Sequence, residues 1–263
     1  FMKADISEKF EKLGEYAAAG MFETPDRSLF YRRALGMRRY WEHCRLPEYT
    51  GTPLYPSGRM DKQYSVIPDF MFCFAPKQPE FSMLPTELAD AYKLDFDCYH
   101  SSVPDRHTIA GNMAEHSIPG YERVLAEGLE AYVPRIEQMT DPELKDGLLE
   151  LMEGIRTYVF RCRTLLEEAG ADRKLVEGLK QVPLYPARNI YEAVLSWNFV
   201  MYIDGCDNLG CVADGLLPYY AGENIIPLLE NLYDNLDANN GYSMALHTNT
   251  SPLTLQCLEA SRG

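Results

Sequence analysis

Apolar residues recur at helical spacing from the start of the chain. Phe10, Leu13, Tyr16 and Ala17 line one face over residues 5–20, and Leu29, Phe30, Ala34, Met37 and Trp41 line another over 25–46. Two helices are predicted. Thr24-Pro25-Asp26 offers an N-cap followed by a proline whose φ is already helical, which predicts where the second helix begins. From Leu46 to Pro104 the pattern breaks. Pro47, Pro53, Pro56, Pro68, Pro76, Pro79 and Pro85 interrupt aromatic stretches such as Asp69-Phe70-Met71-Phe72-Cys73-Phe74, which predicts a wrapping loop with one short buried strand.

The helical stripe returns over 121–139 through Val124, Leu125, Gly128, Leu129, Tyr132 and Ile136, and resumes from Asp141 to Glu168. Pro119 fixes the turn before it, Tyr121 and Leu125 share a face, and Gly128 permits close helix approach. Gly170-Ala171-Asp172 and the pair Pro183/Pro186 bracket a short helix. Ile190–Ile203 is an almost continuous apolar run ending at Asp204-Gly205, the pattern of a helix buried on most sides. Pro218 to Gly222 is expected to open an amphipathic helix reaching Leu236, with a turn over Asp237–Gly241. Ser251-Pro252 should start a last helix ending at Gly263. The predicted class is mainly α with little sheet, a single region over 1–263. It comprises a helical pair (1–45), a proline-rich wrapping segment (46–104) and a helical body (105–263).

Composition narrows the function classes. With 46% hydrophobic and 24% charged residues the chain reads as an ordinary globular body, and no run approaches the roughly 18 apolar residues a membrane span needs. The first twenty residues mix both signs of charge and lack a signal-peptide core, so a cytoplasmic location is expected. A net charge of −14, with Lys and Arg scattered, repels phosphate backbones and argues against nucleic acid. Seven cysteines, Cys44, Cys73, Cys98, Cys162, Cys206, Cys211 and Cys257, are odd in number and widely spread, which reads as reduced thiols. No C-x-x-C or histidine cluster completes a metal set, so no metal is expected.

Three segments carry more information. The first is His116-Ser117-Ile118-Pro119-Gly120-Tyr121-Glu122-Arg123-Val124-Leu125-Ala126-Glu127-Gly128-Leu129. The second runs from Pro183-Leu184-Tyr185-Pro186-Ala187-Arg188-Asn189-Ile190-Tyr191-Glu192-Ala193 to Val200. The third is Asp207-Asn208-Leu209-Gly210-Cys211-Val212-Ala213-Asp214-Gly215-Leu216-Leu217-Pro218-Tyr219-Tyr220. In order and spacing they resemble motifs of the glycyl radical enzymes of the pyruvate formate-lyase-like superfamily, over about residues 107–262. One departure stands out. Where relatives usually show Gly-Arg-x-Asp-Gln, this chain has Gly210-Cys211-Val212-Ala213-Asp214-Gly215, which removes a cation.

The resemblance implies the N-terminal, helical part of that family's α/β-barrel fold. It also implies a lyase, dehydratase, decarboxylase or acyltransferase acting on a small polar metabolite under anaerobic conditions. The family's catalytic cysteine and glycyl loops have no counterpart in this sequence, so no catalytic residue is expected in this chain and the remainder of the enzyme, or a second chain, would carry them. The glycyl radical would lie elsewhere, installed by a radical activase using S-adenosylmethionine, and no cofactor is expected on this chain itself. His116 matches the family histidine near the substrate and is the candidate substrate-binding residue, able to hydrogen-bond a hydroxyl or move a proton. The bland alternative is a histidine capping the next helix.

Other polar groups have structural explanations. Cys206 and Cys211 fall in the third motif rather than in a cysteine loop, and buried thiols are common in cores, as is expected of Cys257. Glu115 either orients His116 or faces solvent, His100, Asp105, His107 and His247 either line a cleft or are solvated, and Asp204, Asp207 and Asp214 share no helical face. The competing function is a non-catalytic helical binding or scaffold protein that pairs with another chain, for which Gly263 would be a helix C-cap. A hydrolase is disfavoured, since no Gly-x-Ser-x-Gly elbow or metal-binding histidine pair is present.

Overall fold

A computed structural model of the chain describes residues 7–8, 11–12, 14, 16–60, 86–87, 90, 118–206, 208–239, 241, 243–244 and 251–262. Among the described residues the elements are α1 (Tyr16–Glu23), α2 (Leu29–His43), α3 (Tyr121–Glu127), a 3-10 turn (Leu129–Tyr132), α4 (Val133–Glu137), α5 (Pro142–Glu168), α6 (Arg173–Gln181) and α7 (Ile190–Asp204). These are followed by β1 (Asn208–Gly210), α8 (Val212–Leu216), a second 3-10 turn (Leu217–Tyr219), α9 (Ile226–Ala238), β2 (Ser243–Met244) and α10 (Pro252–Ala260). The fold is mainly helical, as expected, and its described sheet is one parallel pair, β1 with β2. None of the described helices is long and apolar enough to cross a membrane.

Several boundaries differ from the pattern's prediction. The second helix starts at Leu29, not at Pro25. Thr24 closes a turn with Arg27, and Ser28 is the N-cap, its hydroxyl accepting the Tyr31 amide at 3.1 Å. The stripe over 121–139 is broken at Gly128, whose φ of 76° no helix accommodates, so three short pieces replace one helix. The helix expected from Pro218 begins at Ile226, because Leu217–Tyr219 turns as 3-10 first. The last helix ends at Ala260, with Ser261 at its C-cap. Of the wrapping segment, residues 46–60 are described and hold no strand, while the aromatic stretch 69–74 lies outside the described residues, as do Cys73, Cys98 and Gly263.

The chain divides into two compact units, one drawn from 1–44, 62–115 and 134–158, the other from 45–61, 116–133 and 159–263. In the first, α1 packs on α2 with backbones in contact: a Cβ on Gly20 would lie 2.7 Å from Gly36 Cα. Gly147 and Gly154, two turns apart on α5, receive the rings of Phe30 and Trp41. Charge pairs surround this packing. Arg27 binds Glu143 and Asp146, Arg38 binds Glu150 and Glu42, and Tyr31 donates its hydroxyl to Glu150 at 2.9 Å.

The second unit is built on α7. Every residue from Ile190 to Tyr202 is buried, Asn189 caps the start through the Glu192 amide, and left-handed Gly205 closes the end. α3, α6, α8 and α9 all pack against it. Residues 45–60 form a strap without regular secondary structure, held by side chains that read its main chain. On α9 and just past its end, Asn231, Asn235 and Asn239 recur every four residues. Their carbonyl oxygens accept the amides of Leu54 (3.2 Å), Gly58 (2.8 Å) and Met60 (2.8 Å). Asn198 on α7 donates to Pro56 O and accepts from Asn235, while the Tyr202 hydroxyl donates to Gly58 O and Tyr191 to Pro53 O. Buried amides satisfied this fully fix one loop geometry.

Candidate functional site

The three motif segments meet inside the second unit, around Trp197. Tyr121, first residue of α3, stacks on the Trp197 ring with centroids 4.4 Å apart and planes 9° from parallel. The polar ends of the two rings reach successive carbonyls of β1. The Tyr121 hydroxyl donates to Asn208 O at 2.8 Å, and Trp197 Nε1 donates to Leu209 O at 3.2 Å. One residue from each motif thus fixes the others.

Glycines set the spacing. A Cβ on Gly215 would lie 2.3 Å from the Trp197 ring and 3.1 Å from Glu122 Cγ. On Gly210, φ 60°, it would lie 2.6 Å from Ile118 Cγ2. On Gly128 it would meet Leu184 O and the Tyr185 backbone at 2.5 Å. The first two motifs are also laced by their main chains, with Leu129 N to Pro183 O at 3.0 Å, Glu130 N to Leu184 O at 2.9 Å and Ala187 N to Leu125 O at 2.9 Å. Where the sequence suggested helix-on-helix approach at Gly128, the close neighbour is the backbone of the turn at 184–185.

Glu192 is the buried charge of the cluster. Burial pushes its carboxyl up, but the Arg188 guanidinium and amide, with the Asn189 cap, more than offset this and hold it below the ordinary carboxylate range. Burial raises the Tyr191 and Tyr202 phenols well above their usual value, so both are neutral hydrogen-bond donors to the strap.

His116 lies outside the described residues, as do Glu115, His100, Asp105, His107, Asp207 and His247. Asp204 and Asp214 are exposed. Cys206 is buried at φ 62°, its thiol 3.8 Å from Met60 Sδ. Half-buried Cys211 precedes α8, and burial pushes its thiol up. Cys257 is buried on α10, as the pattern predicts. Among the described residues no three His, Cys, Asp or Glu side chains converge as a metal group would require. The asparagine cradle and the β1–β2 pair escaped the sequence pattern. The four-residue spacing of Asn231, Asn235 and Asn239 beside apolar Leu229, Leu232 and Leu236 was the available signal for the cradle.

No protein-family model matches the sequence, and no curated protein matches it. Solved structures do. The glycerol-bound B12-independent glycerol dehydratase from Clostridium butyricum matches with a TM-score of 0.66 and 14% identity, over 99% of this chain and 43% of its own. A structure describing 1,2-propanediol dehydration in Roseburia inulinivorans matches with a TM-score of 0.64 and 16% identity, over 94% of this chain and 42% of its own. The chain therefore spans less than half the length of either. Its fold is that of a portion of these two structures.

Proposed function

We propose that this chain forms the N-terminal wall of a glycyl radical enzyme of the pyruvate formate-lyase-like kind, and that the reaction is dehydration of a small polyol. The observation carrying this is the convergence of the three resemblance motifs on Trp197, in a chain whose fold follows two such dehydratases almost end to end. In this reading further sequence or a second chain brings the thiyl-forming cysteine and the glycyl loop. A glycyl radical, made by an S-adenosylmethionine-dependent activase, supplies one-electron chemistry when present. The residues of this chain position substrate and exclude water. Three of the five large apolar side chains exposed among the described residues, Ile118, Tyr185 and Leu217, belong to the motif segments. Their exposure supports further protein packing on the motif segments.

His116 is the substrate-binding residue of this proposal. The choice rests on the resemblance of the His116–Leu129 segment, whose histidine lies near the substrate in that family. There it would hydrogen-bond a substrate hydroxyl and assist its proton transfer. The test is turnover of glycerol and 1,2-propanediol by the complete, anaerobically activated protein. His116→Ala should lower kcat/KM by about 100-fold or more while the circular dichroism stays unchanged. Full activity in that variant would remove His116 from the site, and no turnover by an activated wild type would remove the polyol assignment.

A further inference from the structure

Several hydrogen-bond donors of the motif segments are spent on the protein itself. Tyr121 donates to Asn208 O, Tyr191 to Pro53 O, and the Trp197 ring nitrogen to Leu209 O. Tyr220, which closes the third motif, differs, because Gln256 on α10 dictates the sense of its hydrogen bond. The Gln256 Oε1 accepts the Ile225 amide at 2.7 Å, and its Nε2 donates to Glu223 O at 2.9 Å and to the Tyr220 hydroxyl oxygen at 2.8 Å. A main-chain amide only donates and a main-chain carbonyl only accepts, so these two partners fix which way round the Gln256 amide lies. Nε2 therefore faces Tyr220, whose oxygen must accept, and the phenolic hydrogen is left for another acceptor. No described residue takes it. The residue is half-buried and its main chain is held as well, Tyr220 N donating to Leu217 O at 3.2 Å. The result is a hydroxyl donor anchored through its oxygen, with its hydrogen unspent.

We propose that Tyr220 is a substrate-binding residue that donates this hydrogen to a hydroxyl oxygen of the polyol, with Gln256 as the positioning residue that orients it. The assignment rests on the dehydratase reading. A small polyol carries no charge and no extended apolar part, so hydrogen bonds are what a site has to hold it by, and its oxygens call for donors. A donor whose own oxygen is already anchored has little freedom left to lose on binding, so less of its hydrogen bond is offset by the ordering of a side chain. The partial exposure of Tyr220 leaves the hydrogen within reach of a ligand.

The test measures glycerol turnover by the complete, anaerobically activated protein. Tyr220→Phe removes the donor and keeps the ring. It should lower kcat/KM by about tenfold, the worth of one neutral hydrogen bond, with circular dichroism and native mass unchanged. Gln256→Glu still accepts the Ile225 amide but offers Tyr220 an acceptor, which turns the phenolic hydrogen inward. It should cause a similar loss, and the double variant should lose no more than either single one, a coupling that two independent packing defects would not show. Unaltered kcat/KM in Tyr220→Phe overturns the assignment alone. A loss in Tyr220→Phe that comes with a changed native mass also overturns it, since the hydroxyl then serves an interface between chains. No glycerol turnover by the activated wild type overturns the polyol reading and this assignment together. Tyr220→Phe deletes a single oxygen and decides the matter even where Gln256→Glu folds poorly.

Discussion

At the residue scale the motif cluster depends on what is missing from its glycines as much as on its rings. Trp197 is held by the Tyr121 stack and by its hydrogen bond to Leu209 O, so it has little freedom to withdraw from a new methyl at position 215. Gly215→Ala should therefore destabilise the fold by about 1–3 kcal/mol, the cost of overpacking, read as a shifted denaturation midpoint. Gly120→Ala is the control. A Cβ there has nothing within 4 Å, and the change should stay within about 0.5 kcal/mol. Glu192 gives a pH signature. Its folded carboxyl is held below its ordinary value, so its contribution is present above the unfolded value and is lost as pH falls through the folded one. Glu192→Gln should thus lower Tm at neutral pH and by progressively less under acid conditions. An unchanged Tm difference across that window would show that the Arg188 pairing contributes nothing.

At the element scale the strap has no ladder of its own and takes its shape from the asparagines of α7 and α9. Asn235 is the hub, accepting from Ser57 and Gly58 and donating to Asn198. Asn235→Ala orphans buried partners and should cost about 2 kcal/mol or more, with amide exchange at Gly58 faster by about tenfold or more. Long periodic stretches such as Pro142–Glu168 and Ile190–Asp204 were readable because burial of one stripe, or of a whole helix, imposes its period on the residues. The break at Gly128 was not, because its left-handed φ serves a contact with Leu184 and Tyr185, more than fifty residues away. Nor was the helix start at Ser28, where two hydroxyl residues four positions apart compete and a turn at Thr24 takes the first. β1 and β2 are too short to carry an alternation at all.

At the scale of the whole molecule, sequence resemblance and fold likeness agree by separate routes. The motifs were read from residue order, the likeness from backbone geometry at 14–16% identity, where sequence contributes little. The joint packing of Tyr121, Trp197 and Asn208–Leu209 brings the three segments to one place in the fold. At Cys211 the third motif carries a half-buried thiol at the start of α8. The most direct test of the central claim is anaerobic purification of the native protein, followed by exposure to a glycyl radical activase and S-adenosylmethionine and recording of its electron paramagnetic resonance spectrum. The account predicts a glycyl radical signal on the polypeptide, or the tight complex, that contains these 263 residues. A native species of 30.0 kDa with no accompanying chain and no radical under those conditions would contradict it.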